Sequence, residues 1–78
     1  MKWLEEIVHA IDALGGIAGY HEIYSYIEEH TQRQLSEHWK ASVRQIIEDH
    51  SSDAQFRSGI DLFYSVEGIG KGVWGLRK

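Results

Sequence analysis

The chain contains no cysteine and no proline. Without cysteine, neither a disulfide nor a thiolate metal site can supplement the core. That matters at 78 residues, because a chain of this size buries only about 60–65% of its unfolded surface. Long apolar runs are missing too: none approaches the roughly 18 residues of a membrane span. The opening residues lack the basic-then-apolar pattern of a signal peptide. Low-complexity tracts and internal repeats are absent. These absences lead to an expectation of one soluble, intracellular domain over residues 1–78.

What the chain does have is aromatic weight: three Trp, four Tyr and two Phe. Each buries far more apolar area than a methyl-sized side chain, so a small core can rest on them. Its net charge is −4, which taken alone argues against nucleic acid. The charge is unevenly spread, however. Residues 1–30 carry Lys2 against six acids, whereas residues 31–78 carry seven cations against six acids. Docking follows local potential, so an acidic back and a mildly basic front remain compatible with a polyanion.

Trp3, Leu4, Ile7, Val8, Ile11 and Leu14 recur at steps of one, three and four, the pattern of a single helix face. Gly15-Gly16 then closes that helix, since glycine takes the left-handed conformation readily. Ile17 and Ala18 form a short extended link that could serve as a small first strand. A second helix is expected over 21–30, with Ile23, Tyr24 and Ile27 inward. Residues 36–51 read as a third helix with Ser36 as its N-cap. Leu35, Trp39, Val43, Ile46 and Ile47 make its apolar stripe, and Lys40, Ser42, Arg44 and Gln45 its outer face. Residues 54–60 are ambiguous, with Phe56 as an anchor and Ser58-Gly59 as a turn. Residues 62–66 and 73–77 carry the β-branched and aromatic content of two strands. Between them lies the tip Gly68-Ile69-Gly70-Lys71-Gly72.

Several chemistries fail on these residues. Gly70-Lys71-Gly72-Val73-Trp74-Gly75 formally matches a dinucleotide fingerprint, but that motif needs a following helix to meet the pyrophosphate. A P-loop fails because Lys71 is followed by glycine rather than Ser or Thr. The five histidines lack the helix-face pairing of a metal site, so no metal and no cofactor is expected. No nucleophile stands in a catalytic setting, and the expectation is a binding domain rather than an enzyme.

Three helices followed by a β-hairpin make an α+β chain with the layout of a winged helix, a helix able to enter a groove beside a wing able to touch a backbone. Charged residues on an outer helix face ordinarily only keep it soluble. Here Lys40 and Arg44, four apart, share a side despite their repulsion, and Lys or Arg can meet guanine where Gln meets adenine. Lys71 at the tip can reach a phosphate or simply be solvated. Trp39 and Trp74 suit the core, and each also offers a flat wall to a base or methyl group.

The runs Trp39-Lys40-Ala41-Ser42-Val43-Arg44, His50-Ser51-Ser52-Asp53, Asp61-Leu62-Phe63-Tyr64 and Gly70 to Arg77 resemble winged-helix domains fused to modification-dependent restriction endonucleases of prokaryotes. The resemblance spans Ile7 to Arg77. It implies a cytoplasmic module that reads N6-methyladenine in double-stranded DNA, typically within a GATC-like palindrome. It also implies that Trp39, Lys40, Ala41, Ser42 and Arg44 lie at or near the reading surface, with Lys71 on the wing. No nuclease domain accompanies these residues, so cleavage is not expected of them. A rival expectation is a winged helix that grips a protein instead of DNA; a homodimerisation domain using Trp3 and Leu4 is a more distant one.

Overall fold

Apolar residues recurring at steps of three and four decide the first element. Ile7, Ala10 and Ile11 fall on one face, are completely buried, and fix α1 at Trp3–Ala13. Its end is a Schellman closure. Gly15 and Gly16 take φ of 100° and 91°; their amides donate to the Asp12 and Ile11 carbonyls at 3.1 and 2.8 Å. The computed structural model describes residues 2–68 and 70–77; Ile69 of the expected tip lies outside them.

The reversal at the glycines feeds directly into β1, Ile17–Gly19. Helix α2 starts one residue earlier than the sequence suggests, at Tyr20–His30. The Glu22 carboxylate accepts the Gly19 amide at 2.9 Å, satisfying a helix-start donor that would otherwise be orphaned.

Helix α3 spans Trp39–Asp49, three residues shorter at its start than the sequence suggests. Ser36 is not its N-cap. The flanking position is His38, which makes no side-chain cap, and the Ser36 carbonyl accepts the Trp39 amide at 3.3 Å in a preceding turn. Tertiary packing outweighs the local cap here. Trp39 is held by a stacked Trp3 ring at 6.4 Å and an edge-on Tyr24 ring at 5.6 Å, and the helix begins where that indole is anchored.

The expected anchor Phe56 is also corrected. It is exposed, with φ of +55°, and its amide donates to the Glu48 carbonyl at 3.0 Å. It shapes the turn after α3 and does not fill the core. The two later strands are β2, Phe63–Ser65, and β3, Val73–Leu76. Strand β3 is central, flanked antiparallel by β1 and β2, with Ala18 opposite Trp74 and Tyr64 opposite Gly75.

The order α1-β1-α2-α3-β2-β3 with a β1-β3-β2 sheet is an α+β winged helix, its hairpin β2-β3 forming the wing. Ile7, Ile11, Ile23, Val43, Ile47 and Phe63 are sealed between the helices and the sheet, each contributing roughly 1.5–3 kcal/mol by leaving water. Trp3 and Leu4 pack against this core as partly buried residues. No helix among the described residues is long and apolar enough to cross a membrane.

Candidate nucleic-acid interface

Two helices present matched ladders to one another. Tyr20 and Tyr24 on α2 stack at 5.8 Å, and each receives a cation from α3. The Arg44 guanidinium lies 5.6 Å from the Tyr20 ring, and the Lys40 ammonium 5.6 Å from the Tyr24 ring and 5.8 Å from that of Trp39. Both spacings are i,i+4, one helical turn of about 5.4 Å, which is why the pairs register. Aromatic faces attract cations, so Lys40 and Arg44 are steered to the same flank of α3.

That flank continues into the wing. Tyr20 tilts against Trp74 of β3 at 6.3 Å. A cleft of about 330 Å³ opens there, lined by Arg44 and Glu48 of α3, Tyr20 of α2, and Lys71, Gly72 and Trp74 of the wing. The Tyr20 amide donates to the Gly72 carbonyl at 2.9 Å, tying the start of α2 to the foot of the wing. Helix and wing thus meet at one seam carrying Lys40, Arg44 and Lys71.

Electrostatics in the seam are set by Glu48. Tyr20 donates its hydroxyl to Glu48 Oε2 at 3.3 Å, and Arg44 Nε stands 3.9 Å from the same oxygen. Burial pushes the Tyr20 phenol well above its usual range, and the neighbouring Glu48 carboxylate adds to that. Burial also raises Tyr24, partly countered by Arg44. Both phenols therefore stay protonated and able to donate.

The other sequence-derived candidates distribute as follows. Ala41 and Gln45 are exposed on α3, and at about 100° per residue they fall on its outermost line. The Gln45 amide donates to Asp49 at 2.9 Å. Ser42 is exposed, but the same spacing turns it to the flank opposite Lys40. Ser36 is exposed in the turn before α3 and is not part of the seam. Trp39 and Trp74 are buried, 8% and 4% exposed, so both serve the core first.

Of the other described cations in the second half, Arg33 and Arg77 are tightly held by acids and Arg57 only loosely. Arg33 meets Glu6 at 2.8 Å and lies over Trp3; Arg57 is 4.0 Å from Asp49. Arg77 joins Asp61 at 2.8 Å and Asp53 at 3.1 Å. The basic excess of the second half therefore reduces, at the seam, to three cations and one carboxylate. Sequence reasoning missed Tyr20, Tyr24 and Glu48. The signal for the tyrosines was their i,i+4 spacing on α2, which duplicates that of Lys40 and Arg44.

A second, larger hollow of about 650 Å³ lies between α1 and the end of α2, lined by Glu6, His9, Tyr26, His30 and Arg33 among others. Among the described residues, no three His, Asp or Glu side chains are grouped to hold a metal ion. The chain matches no protein-family model, no curated protein and no solved structure.

Proposed function

We propose that this winged helix binds double-stranded DNA, with α3 at the major groove and the wing against the backbone. The observation that carries the reading is the shared seam: Arg44 of α3 and Lys71 of the wing line one cleft, with Lys40 one turn back on the same flank. A groove-entering helix and a backbone-touching hairpin need their cations on one side to engage a single duplex. The outward pair Ala41 and Gln45 supplies an apolar contact and an amide, two of the side-chain types that read base edges.

Within that reading, the sharper proposal is recognition of N6-methyladenine, as the specificity module of a modification-dependent restriction system with a nuclease fused to it or associated with it. Its support is the residue pattern of α3 and of the Val73-Trp74-Gly75-Leu76 strand, together with Ala41 exposed on α3. A buried methyl group contributes about 0.8 kcal/mol, about fourfold in affinity. Two methyls on opposite strands of a palindrome would multiply that.

The test is titration of three otherwise identical GATC duplexes carrying zero, one and two methylated adenines at matched salt. A graded gain of about fourfold per methyl is expected. Equal affinities would remove the methyl reading and leave general DNA binding. The net charge of −4 and Glu48 within the seam favour the rival, a protein-binding winged helix. Failure of every duplex to shift at low salt and high micromolar protein would decide for that rival.

A further inference from the structure

Two cations and two neutral donors, Arg44, Lys71, Tyr20 and Trp74, gather in the cleft between α3 and the wing, which Gln55 also lines. Trp74, 4% exposed, has an indole N–H without any acceptor, and this group can only donate. It bears on the Tyr20 hydroxyl closely enough to favour the phenolate, yet it completes no hydrogen bond there. Arg44 and Lys71 add two cationic donors to the lining. Against these stands one carboxylate, Glu48, which Tyr20 and Arg44 reach only at 3.3 and 3.9 Å. Charge-assisted hydrogen bonds that satisfy their donors run shorter, at about 2.7–2.9 Å for nitrogen and about 2.5–2.7 Å for hydroxyl donors. Glu48 occupies the position of an anion without fully serving the donors around it.

We propose that this cleft seats one backbone phosphate of the bound duplex, and that Glu48 is the resident carboxylate the phosphate displaces. The proposal rests on the DNA-binding reading and assigns the atoms that hold the backbone. A phosphate fits the chemistry because it offers several oxygens and no donors, matching a donor-rich lining. It also fits the space, since 330 Å³ exceeds the roughly 30 Å³ share of one water about tenfold. The Tyr20 hydroxyl turns its proton from Glu48 to a non-bridging phosphate oxygen, and the rotation re-aims an oxygen lone pair at the Trp74 N–H. Arg44 makes the same exchange from α3, and Lys71 closes the seat from the wing. Tyr20 is a suitable relay because it stays protonated. Glu48 repels the incoming phosphate, so it lowers affinity for every duplex and restrains binding by charge alone.

The experiment replaces the phosphates of a bound duplex one at a time with neutral methylphosphonate, at constant chloride concentration. Titrations use the wild type, Tyr20→Phe and Glu48→Gln. Tyr20→Phe removes a single oxygen and leaves the ring on Trp74; circular dichroism melting verifies folding of both variants. One position is expected where methylphosphonate costs the wild type about tenfold but costs Tyr20→Phe less than threefold. Glu48→Gln is expected to tighten the unmodified duplex about three- to tenfold, with that gain gone at the same position. If the duplex binds but no position couples to Tyr20→Phe, the seat is wrong and DNA binding stands. If neither the wild type nor Glu48→Gln binds any duplex, the DNA reading fails and the seat fails with it.

Discussion

At the scale of single residues, Gly75 shows how tightly the wing is built. It is buried on β3, opposite Tyr64, and a Cβ there would stand 2.5 Å from Cε1 of the tyrosine ring and 2.7 Å from Cζ. The ring lies across the glycine, so room for a methyl requires swinging the half-buried Tyr64 side chain aside. Gly75→Ala is expected to cost about 1–3 kcal/mol by overpacking, measured as a fall in the urea midpoint at unchanged slope. In a Tyr64→Ala background the same substitution should cost much less, because the obstructing ring is gone. Equal costs in both backgrounds would clear Tyr64 of the clash. None of this was legible in the sequence, where Gly75 belongs to a glycine-rich tail. Phe56 misled for a related reason: an aromatic side chain normally signals burial, and nothing local announced a φ of +55°.

At the scale of elements, the helices were legible because burial on one face leaves a period in the sequence, as in Ile7, Ala10 and Ile11 or Trp39, Val43 and Ile47. The start of α3 was not, because it depends on Trp3 and Tyr24, rings far from residue 39 in the chain. The clip at the end of β3 was equally hidden. Arg77 Nε donates to Asp61 at 2.8 Å and to the Phe63 carbonyl at 3.0 Å, while Ser52 donates its amide to Asp61 at 2.9 Å and its hydroxyl at 2.7 Å. Bonding from the Ser52 amide and hydroxyl, with Arg77 beside it, holds the Asp61 carboxyl below the ordinary 3.8. A carboxyl that ionises more readily when folded stabilises the fold above its unfolded pKa, and that contribution is lost as pH falls through the lower folded value. Asp61→Asn is therefore expected to be less stable than the wild type at neutral pH. The gap should close as pH drops below about 4, which urea unfolding at a series of pH values measures. A gap that persists unchanged into acid would mean the carboxylate charge is not what Ser52 and Arg77 recognise.

At the scale of the whole molecule, the distribution of charge in sequence and in space differ in a way that sets the strength of any DNA complex. Seven cations lie in the second half of the chain; Lys78 lies outside the described residues, Arg33 and Arg77 are tightly held by acids, and Arg57 stands 4.0 Å from Asp49 away from the seam. The seam offers Lys40, Arg44 and Lys71. Each phosphate neutralised contributes about −0.9 to the slope of log affinity against log salt, so two phosphates, one met by Lys40 and one shared by Arg44 and Lys71, give about −1.8. That is a shallow dependence, leaving weak non-specific binding and affinity that relies on particular contacts. Lys71→Ala is expected to weaken all duplexes alike and to flatten the slope, by up to about 0.9 since Arg44 shares its phosphate. Arg33→Gln is expected to leave the slope unchanged, since its guanidinium is already held by Glu6 at 2.8 Å. Titrations at several salt concentrations separate the two. A wild-type slope of −5 or steeper would require cations beyond the seam and would move the interface elsewhere on the molecule. A Lys71→Ala slope equal to that of the wild type would take the wing off the backbone, leaving α3 to bind without its neighbour.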